Sequence, residues 1–220
     1  MLGVLLAVLL AWLLMALFQA YKPMPKGLSA SMPMRAAENV QLLDDRTYVT
    51  DGGERVSNQR IFDEIGRLIG QARKLIVVDM FLYNEFAGKD SYRPLTDDLT
   101  NALLAARERH ADMSIVLITD PFNTLYGGLQ APHLEQLRSA GIQVVISDLK
   151  VTLRSYLALI NFRANHRKTL IVDEGDTWAG LVTSANPHDA SSRHSNNALV
   201  FRGAAALDLL ASEISVLDFS

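Results

Sequence analysis

Short apolar, β-branched segments alternate with amphipathic segments through the middle of the chain, and this alternation constrains the fold more than any other feature. Three of the apolar segments predict buried strands, at residues 74–82, 113–119 and 142–147. Apolar residues at helical spacing predict helices at residues 58–72, 94–109 and 131–140. Asn58 is the predicted N-cap of the first helix, and Gly141 ends the third. Strands that alternate with helices indicate βαβ units and a largely parallel sheet.

The last third of the chain predicts antiparallel pairing in addition. Two strands, a further strand and a closing helix are predicted at residues 169–173, 179–183, 197–201 and 204–217. The first two are joined by a predicted turn at residues 174–176. The predicted fold is therefore an α/β fold with a mixed β-sheet flanked by helices on both faces. Residues 40–53 are rich in turn formers, and residues 151–160 predict either a helix or an irregular apolar segment.

Composition excludes several kinds of site. The 220 residues include no cysteine, which rules out a disulfide scaffold, a Cys-ligated zinc site, an iron–sulfur cluster and a thiol nucleophile. The formal net charge is −3, so no bulk basic field attracts nucleic acid, and a nucleic-acid partner is not expected.

The N-terminal segment is the main source of the chain's apolar excess. Eighteen of the first twenty residues are apolar, and as a helix they extend about 30 Å, the thickness of a bilayer core. We predict an uncleaved transmembrane anchor at 1–20, a linker at 21–39 and a folded domain at 40–220. A cleaved signal peptide and a buried core helix are the alternatives. Basic residues after the segment place the domain in the cytoplasm by the positive-inside tendency.

A cluster of polar residues after residue 160 is the most informative motif. His166 and Lys168 are followed, after four intervening residues, by Asp173, and Ser184 and Asn186 come after the predicted hairpin. Composition gives about 0.01 chance occurrences of the first three at this spacing. Because residues i and i+2 of a strand point to the same face, His166 and Lys168 can converge on one phosphate.

His-x-Lys-x4-Asp is the signature of the phospholipase D superfamily, which this segment resembles. Residues 78–84 (VDMFLYN) and 183–189 (TSANPHD) are most similar to bacterial membrane-bound phospholipase D-like proteins of the cardiolipin synthase type. The likeness covers roughly residues 40–220, although Thr183 stands where many members have glycine before the serine. It implies a phospholipase D-like fold in a protein of the bacterial inner membrane.

The resemblance also implies roles for these residues. His166 is expected to attack phosphorus and form a phosphohistidine, while Lys168 and the Asn186 amide neutralise the phosphate oxygens. Ser184 can donate a hydrogen bond, and Asp173 belongs to the signature with an expected role in positioning and charge balance. The chemistry needs no metal or other cofactor.

Further polar residues lie near the predicted ends of strands. His194 is a candidate for lining the pocket and His188 a weaker one, although the polar loop that holds them is equally consistent with turns. Asp79 lies near the C-terminal end of the first predicted strand, and Asp120 directly follows the second. For Asp120 we prefer a capping or turn role.

Two-motif members of the superfamily supply a second histidine that protonates the leaving alcohol, whereas this chain has one His-x-Lys. Three explanations are open: an N-terminal half whose partner is a second half in cis, a homodimer of single-motif chains, or an inactive protein. We favour the half-protein.

The leading functional prediction is a phosphodiesterase or phosphatidyltransferase acting on phospholipid headgroups at a membrane. Residues 151–162, which are apolar, either contact the bilayer or belong to the core. The alternatives are a phospholipase D-like nuclease and an inactive half-enzyme.

Overall fold

The computed structural model describes residues 2–21, 31–85, 92–121, 131–147 and 165–220. The chain divides into two compact units. One comprises Met1–Ser31 with Val151–Arg163, and the other comprises Met32–Lys150 with Ala164–Ser220. The predicted helical or irregular segment at 151–160 and most of the predicted linker lie outside the described residues.

Helix α1 (Leu2–Tyr21) is the described element of the first unit. Within the described part of the chain, no helix combines the length and the apolar character needed to cross a membrane. The anchor predicted at residues 1–20 therefore finds no support in the structure.

The second unit contains eight strands, four α-helices and a short 3₁₀ helix among its described residues. In chain order these elements are β1 (Glu38–Val49), β2 (Arg55–Asn58), α2 (Ile61–Gln71), β3 (Leu75–Met80), α3 (Leu95–Arg109), β4 (Ser114–Thr119), α4 (Pro132–Ser139), β5 (Gln143–Ile146), β6 (Lys168–Glu174), β7 (Thr177–Thr183), the 3₁₀ helix (Asp189–Arg193), β8 (Asn196–Arg202) and α5 (Ala204–Phe219).

The strands form one mixed sheet in the order β2-β1-β8-β7-β6-β3-β4-β5. Strands β3, β4 and β5 are parallel, as βαβ units require, and the remaining neighbours are antiparallel. Strands β6 and β7 pair from Thr169↔Val182 to Glu174↔Thr177, which confirms the predicted hairpin.

Helices cover the sheet on both faces. Leu170 of β6 belongs to the main hydrophobic core, which also contains residues of α2 and α3. The preceding residue, Thr169, donates a hydrogen bond to Glu213 of α5. Because adjacent strand residues point to opposite faces, α5 lies across the sheet from α2 and α3. This confirms the predicted mixed α/β architecture.

The prediction of a turn-rich segment at residues 40–53 is wrong for most of its length, because residues up to Val49 form β1. The predicted N-cap Asn58 instead ends β2. Asp45, buried in β1, caps α2: its carboxylate accepts hydrogen bonds from the backbone N–H groups of Arg60 (2.7 Å) and Ile61 (3.0 Å). A distant residue thus performs the capping that the local sequence suggested for Asn58. Gly141 follows α4 with φ +75°, as expected of a residue that ends a helix.

Candidate active site

One edge of the sheet collects the ends of four neighbouring strands. Met80, the last residue of β3, pairs with Thr119 at the end of β4 and with Lys168 at the start of β6. On the other side of β6, Thr169 pairs with Val182, so β7 also ends at this edge, next to the start of β8. The segments that carry His166, Ser184, Asn186 and His194 all continue from these strand ends.

His166 and Lys168 are in contact at this edge. Lys168 Nζ lies 3.3 Å from Nδ1 and 3.4 Å from Nε2 of the His166 ring, and it donates to the His166 carbonyl oxygen at 3.0 Å. Phe81 packs against both: its ring centroid is 4.6 Å from that of His166 and 5.2 Å from Lys168 Nζ. Lys168 is 5% exposed, whereas His166 is exposed. The pair therefore presents a histidine to solvent above a buried cation.

The electrostatics of the pair favour a neutral imidazole. Burial and, secondly, the charge of Lys168 lower the pKa of His166 below its ordinary value, with Asp120 acting in the opposite sense. Burial also lowers the pKa of Lys168, while the carboxylate of Asp79 opposes this. A neutral imidazole retains the free electron pair that a nucleophile needs.

The residue before His166 is held by two buried aspartates. Asn165 donates its side-chain amide to both oxygens of Asp79, at 3.0 and 2.8 Å, and its backbone N–H to Asp120 Oδ2 at 2.6 Å. Asp79 lies in β3 and Asp120 directly follows β4, so Asn165 is tied to two strands at the same edge. These contacts fix the backbone from which His166 extends.

The residue after His166 is held from the opposite side. Arg167 Nη1 lies 3.2 Å from Glu213 Oε2 and donates to the carbonyl oxygen of Ser212 at 3.0 Å, while the Arg167 carbonyl oxygen accepts a hydrogen bond from the Phe81 N–H. Glu213, in α5, is fully buried. Burial and then the charge of Glu213 raise the pKa of Asp79 to about 8, against the lowering effects of Asn165 and Arg167.

The sequence prediction missed Asn165 and Glu213. Each had a signal: Glu213 is an acidic residue in a largely apolar helical segment, and Asn165 directly precedes the motif. A charged residue that the helical pattern buries needs a partner, and that requirement pointed to a polar network.

Ser184 and Asn186 are fixed by contacts with neighbouring strands. Ser184 Oγ donates to Asn196 Oδ1 and accepts from the Asn197 N–H, each at 3.1 Å. Asn186 Oδ1 accepts from the Leu82 N–H at 3.1 Å, one residue beyond Phe81. Asn186 uses its side-chain oxygen in this contact, which leaves its amide hydrogens for donation to a ligand.

Thr183 stands directly before Ser184, where many phospholipase D-like proteins have glycine. Its hydroxyl donates to the Asn197 carbonyl oxygen at 2.9 Å and accepts the Ala185 N–H at 3.0 Å. The side chain thus closes the turn that leads from β7 to Ser184 and Asn186.

The two remaining histidines of this edge differ. His188 is bonded through Nδ1 to the side-chain oxygen of Asn84, and burial lowers its pKa. His194 is exposed and donates its backbone N–H to the Ser191 carbonyl oxygen at 3.0 Å. No contact among the described residues joins the His194 side chain to His166 or Lys168, so its predicted place in the pocket stays a prediction.

Asp173 lies apart from this edge and from His166 and Lys168, so the role expected of it in positioning is exerted at the other end of β6. It is five residues along β6 from Lys168, about 17 Å at the usual rise of a strand. Its carboxylate accepts backbone N–H groups from Arg73 (3.1 Å), Lys74 (2.8 Å) and Leu75 (2.8 Å). Asp173 therefore fastens the start of β3 and does not reach a group bound by His166.

One group in the described chain has the composition of a cation site. His133 Nε2 lies 2.8 Å from Asp97 Oδ1 and 3.2 Å from Glu85 Oε1. His133 Nε2 is within hydrogen-bond distance of the Asp97 carboxylate.

Comparison of the sequence with family models and with curated protein sequences finds no match. The structure is similar to Nuc from Salmonella typhimurium, a phospholipase D family member, with 18% identity, a TM-score of 0.50 and coverage of 78% of this chain and 89% of Nuc. NucT from Helicobacter pylori is 14% identical over 80% of this chain and 94% of NucT, with a TM-score of 0.49. Polyphosphate kinase from Porphyromonas gingivalis is 14% identical over 81% of this chain and 25% of its own, with a TM-score of 0.43. The first likeness establishes the fold, and the other two add no argument.

Proposed function

The chain has the fold of the phospholipase D superfamily, and we propose that it is a phosphodiesterase that works through a covalent phosphohistidine on His166. One observation carries the proposal: an exposed histidine contacts a buried lysine, at 3.3 Å, on the sheet edge where the strands of this fold end. A neutral nucleophile beside a fixed cation suits an anionic phosphodiester, which otherwise repels attack.

The reaction has two steps. A ring nitrogen of His166 attacks phosphorus, an N–P bond forms, and the P–O bond to the departing alcohol breaks with its electron pair leaving on oxygen. Water or an alcohol then attacks phosphorus, the N–P bond breaks, and the incoming oxygen gives up its proton. Lys168 and the Asn186 amide stabilise the charge on the non-bridging oxygens in both steps.

Such a reaction needs a second group to protonate the leaving oxygen and later to deprotonate the acceptor. General acid–base help of this kind contributes about 10²–10⁴ in rate. His166 cannot supply it while bonded to phosphorus. We propose that a second His-x-Lys motif, from another copy of this chain or from a second half, faces the first.

Two substrate classes remain candidates. Phospholipid headgroups are proposed from the likeness of residues 78–84 and 183–189 to cardiolipin synthase-type proteins. A nucleic-acid strand is the second candidate. It is favoured by an arginine-lined cavity, formed in part by the loop between β7 and β8.

The test measures hydrolysis of bis(p-nitrophenyl) phosphate, of phosphatidylglycerol vesicles and of a single-stranded oligonucleotide. We expect turnover of at least one of them, and at least a roughly 10³-fold loss in His166→Ala. The matched control is His110→Ala, because His110 follows α3 and precedes β4, at the opposite edge of the sheet. Equal turnover by His166→Ala and the wild type would refute the proposal.

A further inference from the structure

Two buried acids face each other next to the candidate active site. Asp79 in β3 and Glu213 in α5 are both fully buried. Asp79 is the cross-strand partner of Thr169 in β6, whose hydroxyl donates to Glu213 Oε1 at 3.0 Å. Asp79 and Glu213 are also hydrogen-bonded to each other. Because an ionised carboxylate can only accept hydrogen bonds, a bond between these two groups requires a proton on one of them.

The other contacts of the two acids agree with one shared proton. Both Asp79 oxygens accept the Asn165 side-chain amide, at 3.0 and 2.8 Å. Glu213 Oε2 is buried, and no N–H group or hydroxyl among the described residues donates a hydrogen bond to it, although Arg167 Nη1 lies 3.2 Å away as an ion-pair partner. Buried oxygens of this kind normally have a hydrogen-bond donor, and a protonated Asp79 can supply it.

The surroundings of the pair favour a single negative charge. Arg167 is ion-paired with Glu213, and Lys168 also acts on Asp79. On the side of β4, Asp79 pairs with Ile118, which is apolar. Loss of the shared proton would leave two negative charges within hydrogen-bond distance of each other, where water cannot screen their repulsion. In agreement, burial and then the charge of Glu213 raise the pKa of Asp79 to about 8.

The pair is connected to His166 on both sides of that residue in the chain. Asn165, which precedes His166, is bound by Asp79, and Arg167, which follows it, is ion-paired with Glu213. The two residues that flank the histidine are therefore each held by one member of the pair. If repulsion separates the two acids, both of these attachments are disturbed together.

We infer that Asp79 and Glu213 are positioning residues that hold one shared proton, and that loss of this proton at alkaline pH releases the residues flanking His166 and reduces turnover. Neither acid contacts the substrate, since both are buried and act through Asn165 and Arg167. The inference rests on the proposed phosphodiesterase function and adds a means by which pH regulates the same site.

The shared proton is tested without turnover, by ¹³C NMR titration of the side-chain carboxyl groups in the full chain. We expect the pair to titrate in two steps, one of them near pH 8, and the Asn165 side-chain amide signal to shift in that same step. In Asp79→Asn the step near pH 8 should vanish. In Glu213→Gln the step should move to lower pH, because Asp79 loses a neighbouring like charge.

The effect on turnover is tested by the pH dependence of kcat/KM on bis(p-nitrophenyl) phosphate. Its leaving group departs as a stable anion, so no general acid is needed in the first step. We expect kcat/KM of the wild type to fall about tenfold from about pH 8 to about pH 9.5, and that of Asp79→Asn to fall less than about twofold. Asp120→Asn is the matched control, because Asp120 is a second buried acid bound to Asn165, through the backbone N–H, and should keep the wild-type fall.

Lys168 is the competing cause of an alkaline fall in activity, and Asp79→Asn separates the two. The Asp79 carboxylate raises the pKa of Lys168, so a fall caused by Lys168 would move to lower pH in Asp79→Asn. Such a move, a wild type without a carboxyl step near pH 8, or a step that leaves kcat/KM unchanged would overturn the inference. Absence of hydrolysis by every protein would defeat the proposed function, whereas the carboxyl step and the Asn165 shift would still decide whether the shared proton holds the residues flanking His166.

Discussion

At the scale of single residues, the proposed chemistry depends on a neutral His166 beside a charged Lys168. Replacing Lys168 by methionine keeps the side-chain length but removes the second cause, after burial, of the lowered histidine pKa. We predict that the pKa of His166 rises in Lys168→Met, as measured by NMR titration of the ring. Activity should fall at every pH, because Lys168 also stabilises the phosphate oxygens, and it should fall further at acidic pH, where more of the imidazole is protonated.

Lys74→Met is the control for that titration, since Lys74 lies before β3 at the far edge of the sheet. It should leave the His166 titration unchanged. An unaltered His166 pKa in Lys168→Met would show that the 3.3 Å contact does not set the charge state of the histidine.

Asp79 gives a second prediction at this scale, on stability. Its pKa of about 8, raised first by burial and then by Glu213, exceeds the unfolded value near 4. The folded state thus binds the extra proton, and the contribution of Asp79 to stability is complete below about pH 4 and is lost as pH rises toward 8. Glu213, Arg167 and Lys168 are the charged groups that face it.

The variant Asp79→Asn is neutral at every pH. The difference between its free energy of unfolding and that of the wild type, both measured in urea, should therefore change in favour of the variant from pH 4 to pH 8. Above about pH 8 this difference should stay constant. If the difference in unfolding free energy between the two proteins is constant across this pH range, the pKa of Asp79 is not raised in the folded state.

The sequence suggested candidate site residues but not the contacts that hold them in place. His166, Lys168, Ser184 and Asn186 could be proposed as site residues because the motif is local and its neighbours follow predicted strand ends. The bond from Asn165 to Asp79 joins residues 86 positions apart, so no local pattern specifies it. Asp79, an acidic residue within an apolar strand, indicated that a polar partner was needed, but the sequence did not identify Asn165 as that partner.

At the scale of elements, Asp173 joins two strands. Although burial pushes its pKa upward, the N–H donors of Leu75, Lys74 and Arg73 outweigh that effect, and the pKa lies below its ordinary value. We predict that Asp173→Ala lowers the free energy of unfolding at pH 7 by about 2–4 kcal/mol, because three donors lose their acceptor. Asp173→Asn, which keeps one acceptor oxygen, should lose about half as much.

The sign of the pKa shift fixes the pH dependence of this loss. A lowered carboxylate pKa stabilises the fold above the unfolded value near 4, and the effect disappears as pH falls through the folded value. The gap between wild type and Asp173→Ala in urea unfolding should therefore narrow in acid. A gap that persists unchanged at pH 2 would contradict a charge-based role.

Strands were predicted correctly where both faces of the strand are buried. Strands β3, β4 and β6 each contain a short continuous apolar segment rich in β-branched residues, which indicates a buried strand. Strand β1 escaped prediction because most of its residues are exposed and its only buried positions are Leu43 and Asp45. Its place in the sheet comes from pairing with β8, which local composition does not encode.

At the scale of the whole molecule, the single His-x-Lys motif predicts dependence on a second copy. If two copies share one site, specific activity should rise with protein concentration and then reach a plateau. Adding excess His166→Ala to wild-type protein should suppress activity below the level expected from dilution, because mixed pairs lack one of the two histidines. Activity that is linear in concentration and indifferent to the added variant would point to a self-sufficient chain.

The central claim is that His166 carries the phosphoryl group during turnover. The most direct measurement is rapid quenching of the reaction of a ³²P-labelled phosphodiester in alkaline denaturant, which stops turnover without acid, followed by mass spectrometry of the peptide that contains residues 164–174. The account predicts a phosphoryl adduct on His166 that forms within the first turnover, decays with product release and is absent from His166→Ala. Turnover that proceeds with no adduct on His166, or with an adduct on another residue, would contradict it.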